Sequence, residues 1–226
     1  MHDAAPADLE ALGAVDAATL LLYDMLVDTE AAADMDSVDG RRKMALAHLS
    51  TIMLRTSRAC MRVIGTGYVQ EAVALKRRIT EAAHHTEKLR TDAGGEYAKQ
   101  WLAGKASASG KLARSVGQSE RQWNFYSRGA HADARILPTE PRGEQVKVLL
   151  TPDRDRAAAN ALLTELAIEL ADQVGIVARE LRDAALVGQE QRRLDGLNRQ
   201  IEVLKERWYV GVSEGLDEMA RIRTRL

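Results

Sequence analysis

Residues 41–89, RRKMALAHLSTIMLRTSRACMRVIGTGYVQEAVALKRRITEAAHHTEKL, decide the fold. Apolar and small residues recur every three or four positions on both sides of Gly65-Thr66-Gly67, which is the spacing of one face of an α-helix. Ala45, Leu49, Ile52, Thr56, Ala59 and Val63 form the expected inner face of the first helix, and Tyr68, Ala72, Leu75, Ile79, Ala82 and Leu89 that of the second. Paired glycines supply backbone conformations that other residues resist, so a turn is expected between the two helices. The Gly-Thr-Gly turn lacks the Lys-Ser/Thr ending of a phosphate loop.

The same pattern continues in both directions. Leu9, Leu12, Val15, Thr19, Leu22 and Leu26 predict a helix over residues 8–34, with Asp8 as its N-cap. A short helix follows at 96–102, then a Ser/Gly/Lys-rich connection over 104–117 with at most a turn of helix. Ser119 and Gln122 form a capping box that opens a further helix, ending by Leu137-Pro138. Ile136-Leu137 and Val146–Leu150 are suited to a short β-hairpin. Thr151-Pro152 starts a helix with Leu163, Leu166, Leu170, Val174, Val177 and Leu181 on one side. After Gly188, Leu194, Leu197, Ile201, Leu204 and Trp208 keep a heptad spacing, with Gly211 and Gly215 expected to bend or break it into a pair of helices. The expectation is an all-α multi-helix bundle over 1–187, with a C-terminal extension over 188–226 that packs on the bundle or on a second chain.

Composition narrows the class. With 46% hydrophobic and 29% charged residues the chain is too apolar for disorder. The longest apolar run, Leu20-Leu21-Leu22-Tyr23, stops at Asp24, far short of the ~20 residues of a membrane span. A single cysteine, Cys60, excludes an internal disulfide, and no basic leader opens the chain, so a reduced, cytoplasmic protein without membrane contact is expected. Charge is laid out in blocks. Residues 1–40 hold ten acidic and no basic residues, and residues 41–128 hold seventeen basic and six acidic ones. Arg55, Arg58 and Arg62 form a stripe along one helix. Either the acidic N-terminal helix neutralises that stripe, or it faces RNA or another polyanion.

Residues with acid–base chemistry cluster in two places. Arg78, Glu81 and His85 lie on one border of the helix over 68–89. Tyr126, Ser127, Arg128 and His131 share the helix that opens at Ser119, with Ser127 and His131 four residues apart. A polar seam between these helices is the expected arrangement. Catalysis there would be phosphodiester cleavage, His131 moving a proton while Arg78 or Arg128 stabilises charge on phosphate oxygens. Glu81-Ala-Ala-His84 matches half of a di-iron motif, but the second half is missing, so no metal or other cofactor is expected.

With Arg78-Ile-Thr-Glu81 on one helix and Tyr126-Ser127-Arg128-Gly-Ala-His131 on a later one, the chain resembles poorly characterised bacterial all-helical domains that are loosely HEPN-like. The resemblance covers residues ~40–135. It implies a helical bundle, often dimeric, that binds RNA and in some members cleaves it without metal in toxin or phage-defence systems. Only two residues separate Arg128 from His131, closer than in the ribonuclease members. The competing expectation is a non-catalytic interaction protein that forms a homodimer or docks a partner through its C-terminal helices.

Overall fold

The computed structural model describes residues 9–27, 34–106, 109–115, 139–142, 145–148, 156–181 and 188–223. Within them lie helices α1 (Leu9–Val27), α2 (Val38–Gly65), α3 (Val69–Thr91), α4 (Glu96–Leu102), α5 (Ser109–Ser115), α6 (Arg156–Leu181) and α7 (Gln189–Arg223). A two-stranded antiparallel ribbon pairs β1 (Thr139–Arg142) with β2 (Gln145–Val148), Thr139 opposite Val148. The architecture is all-α; the first arm of the ribbon carries Pro141 opposite Val146, which an edge strand tolerates, and Ile136-Leu137, expected as that arm, lie outside the described residues.

The helix ends follow from local chemistry. Ser37, in extended conformation, accepts a hydrogen bond from the Gly40 amide at 2.9 Å and so caps α2. Gly40 is required there because a Cβ would stand 1.9 Å from the Asp34 carbonyl oxygen. The hairpin turn closes with Gly67 at φ 85°.

Helices α1, α2, α3, α6 and α7 share one core. Leu163, Leu166, Leu170, Val174, Val177 and Leu181 of α6 are all buried, each contributing about 1.5–3 kcal/mol if fully withdrawn from water. In α2 Ala45, Leu49 and Thr56 are buried as expected, but the inner face extends to one side of the expected one: Leu46, Met53, Cys60 and Ile64 are buried, while Ile52 and Val63 are half-buried and Ala59 is exposed. The longer side chains reach the core, and the small Ala59 is left on the solvent side. Tyr68, expected inside, is exposed at the turn, and Leu9 is exposed at the start of α1, where Ala11, Ala14 and Ala18 allow close packing against α6.

The C-terminal segment is a single helix. Gly211 and Gly215 do not interrupt α7, since an isolated glycine costs only about 1 kcal/mol in a helix interior. Leu194, Leu197, Ile201 and Leu204 are buried, so this part of α7 packs on its own chain, against α1 and α6. Trp208 and the apolar positions after it fall outside the described side chains. No helix among the described residues is long and apolar enough to cross a membrane.

Candidate nucleic-acid interface

Two polar groupings emerge from this packing, one open and one buried. The open one is the outer face of the α2–α3 hairpin. Apart from Asp39, α2 carries no acidic residue, while it holds Arg41, Arg42, Lys43, Arg55, Arg58 and Arg62. Arg42 is paired with Glu180 and Lys43 with Asp39. Arg55, Arg58 and Arg62 are exposed and make no ion pair among the described residues. Neutralisation by α1 is not what the described residues show: Asp24 of α1 binds Arg193 at 2.8 Å and Glu10 binds Arg207 at 2.5 Å, both on α7. Two acids of α1 are thus held by α7, and among the described residues the arginine stripe has no ion-pair partner.

Across the hairpin, Arg78 of α3 is also exposed. Its neighbours on that border are tied down. Glu81 accepts from Arg77 at 2.9 Å, and His85 Nδ1 lies 2.7 Å from the Tyr97 hydroxyl of α4. Burial lowers the His85 pKa below its usual value and pushes the Tyr97 phenol up to about 12. Both directions fit a neutral imidazole whose Nδ1 accepts a hydrogen bond from the Tyr97 hydroxyl. An aromatic group closes this end of the hairpin: Trp101 of α4 lies 6.2 Å from His48 of α2 and 6.3 Å from His85 of α3, between ring centroids.

The buried grouping lies between α3 and α6. Lys76 is fully buried. Its Nζ donates to Glu169 Oε1 at 2.6 Å and to Thr80 Oγ1 at 3.1 Å, and Thr80 Oγ1 donates to the same carboxylate oxygen at 2.9 Å. Glu165 stands 3.7 Å from Nζ. Burial raises the Glu165 pKa, and Lys76 opposes that rise without cancelling it. Cys60 is beside this seam, its thiol pushed by burial up to about 12 and its Sγ 3.6 Å from the Ala72 carbonyl. A thiol held protonated in this way is a poor nucleophile. Nearby, Gln173 donates to Ser50 Oγ at 2.7 Å.

Sequence reading missed this seam, although a signal was present. Lys76 sits between Ala72, Val73 and Ile79 on the inner arc of its helix, and Glu169 lies between Leu166 and Leu170. A lysine and a carboxylate that both interrupt apolar arcs are natural partners. Of the residues singled out from the sequence, Arg55, Arg58, Arg62, Arg78, Glu81 and His85 share the α2–α3 hairpin. Tyr126, Ser127, Arg128 and His131 lie outside the described residues. Among the described residues no group of three His, Cys, Asp or Glu side chains is placed to hold a metal ion.

His84 and His85 give the fold a pH dependence. Burial lowers both pKa values, so between those lowered values and ~6.5 the unfolded chain binds more protons than the folded one. Their contribution is present above ~6.5 and lost as pH falls through the folded values. Glu165 has the opposite sign: its raised pKa makes the folded state gain as pH falls toward the ordinary carboxylate range. The urea midpoint is therefore expected to drop between pH 7.5 and 5.5. A His84→Gln/His85→Gln variant should show a flatter profile over that interval, and an equally steep one would assign the drop to other groups.

The chain matches no protein-family model, no curated protein and no solved structure.

Proposed function

We propose that this chain is a HEPN-like helical bundle that binds RNA or another polyanion on the outer face of the α2–α3 hairpin. One observation carries the reading: Arg55, Arg58 and Arg62 stand exposed on a helix almost free of acids, while Glu10 and Asp24 of α1 are paired with α7. Folding has left this charge without an internal partner among the described residues, and phosphate is the ligand whose geometry and charge guanidinium groups match best. Binding of this kind releases counterions, so the affinity for a labelled RNA should fall steeply between 50 and 200 mM salt, on the order of tenfold or more for a few phosphate contacts. An affinity indifferent to salt would remove the reading.

Metal-independent cleavage in a toxin or phage-defence role is the finer form of the same proposal. It assigns Arg78 to the phosphate and His131 to proton transfer, with Arg128 and Glu81 in support. RNA degradation in the presence of a chelator that persists in His131→Ala and Arg128→Ala would refute that assignment.

A second reading, a homodimeric interaction protein, is favoured by α1. Leu20, Tyr23 and Val27 follow each other at i, i+3 and i+7 and are 42%, 48% and 61% exposed. A second copy covering this row would bury apolar surface that the monomer leaves in water. Tyr23→Lys should then convert a dimer to a monomer in light scattering, and a wild-type monomer at high concentration would dispose of the reading. Deleting residues 189–226 is a poor test, because it strips Leu194, Leu197, Ile201 and Leu204 from the core.

A further inference from the structure

The α2 face does not end in charge. His48 precedes Arg55 by seven residues and Arg62 by fourteen, so all three lie on one side of the helix, spanning ~21 Å. His48 is exposed, and Trp101, half-buried, leans against it. On α3 the same interval separates His85 from Arg78. Both histidines touch Trp101, and the hairpin is antiparallel, with Cys60 of α2 against Ala72 of α3. Seven residues along each helix from Trp101 therefore bring Arg55 and Arg78 to the same level on the same side. The outcome is one continuous strip: an indole flanked by two imidazoles, then Arg55 with Arg78 across from it, then Arg58 and Arg62.

The ring geometry matters. His48 meets the indole at 52° and His85 at 64°, so neither imidazole lies flat on it. Among the described rings none stacks parallel on Trp101, whose half-buried indole rests with its inner side on the core. An aromatic platform at the end of an arginine track is the combination that holds single strands, whose bases are free to stack, whereas a duplex hides its base faces and offers only phosphates.

We propose that the ligand of this strip is single-stranded RNA, one of whose bases stacks on Trp101 beside His48 while the backbone runs along Arg55, Arg78, Arg58 and Arg62. The proposal rests on the polyanion reading above and adds the requirement for bases. Neutral His85, held by Tyr97, acts as a positioning residue for the indole.

Three fluorescein-labelled probes of equal length separate the two layers by anisotropy: a twelve-residue oligoadenylate, its duplex with the complementary strand, and a twelve-residue abasic strand that keeps the phosphates. The oligoadenylate should bind the intact protein about tenfold more tightly than the abasic strand, the ratio that one stacked base supplies. His48→Ala and Trp101→Leu should shrink that ratio, while Trp101→Tyr, which keeps an aromatic face, should retain most of it. Circular dichroism melts confirm that each variant is folded, and His48, being exposed, keeps the test available if Trp101→Leu is not. Equal affinity for the oligoadenylate and abasic strands, or tighter binding of the duplex, would overturn the stacking proposal while leaving salt-sensitive polyanion binding intact. Absence of salt-sensitive binding to all three probes would overturn both.

Discussion

Replacing Lys76 with methionine is expected to lower the unfolding free energy by about 3–5 kcal/mol, a large part of the stability of a domain this size. Methionine fills much the same space, so the loss comes from charge. Among the described residues Glu169 keeps the Thr80 hydroxyl as its one donor, and Glu165, whose pKa burial already raises, loses the cation that opposes that rise. Both carboxylates remain mostly withdrawn from water, 19% and 25% exposed. A double variant, Lys76→Met/Glu169→Leu, should recover more than half of the loss, since removing both members of a buried pair costs far less than removing one. Urea unfolding of the two variants measures this directly. A Lys76→Met protein within ~0.5 kcal/mol of wild type would mean that the seam contributes no more than an ordinary surface position.

That seam also shows where sequence reading stops. Positions that only had to be apolar were legible: every residue expected on the inner side of α6 is buried. The turn between α2 and α3 was legible because Gly65-Thr66-Gly67 admits few alternatives. The rotation of α2 was not. Its two candidate faces, one through Ile52, Ala59 and Val63 and the other through Met53, Cys60 and Ile64, are about equally apolar, and only packing against α3 and α6 chooses between them. Lys76 escaped notice because a lysine is usually a surface residue, and its partners lie some ninety positions away on α6. The pairing of the described α1 acids was not legible for a related reason. Charge blocks adjacent in sequence suggest a pairing, but α1 is paired by its ends to α7, the last helix of the chain. The strip near Trp101 was half legible: the arginines and His85 stood out, while the convergence of His48 and Trp101 on them required the fold.

The second large effect concerns binding. Arg55→Glu/Arg58→Glu/Arg62→Glu should fold normally, because three exposed side chains without ion pairs among the described residues contribute little to stability. Its affinity for single-stranded RNA at 50 mM salt should fall by about two orders of magnitude, and the slope of log affinity against log salt should shallow by about 2, the value for three lost single-strand phosphate contacts. Reversal of the same number of charges on α7, at Arg192, Arg193 and Arg199, would disturb the Arg193–Asp24 pair but should leave the RNA affinity close to wild type. Equal losses in the two variants would point to net charge rather than to a defined face.

Where the RNA lies can be measured by cross-linking a 4-thiouridine-substituted single strand to the protein and mapping the attached peptides by mass spectrometry. Attachment within residues 44–62 of α2 and at the Trp101 peptide of α4 is expected, with α1 free of it. Cross-links confined to α1 and α7, with none on α2, would contradict the assignment of the hairpin face as the binding surface.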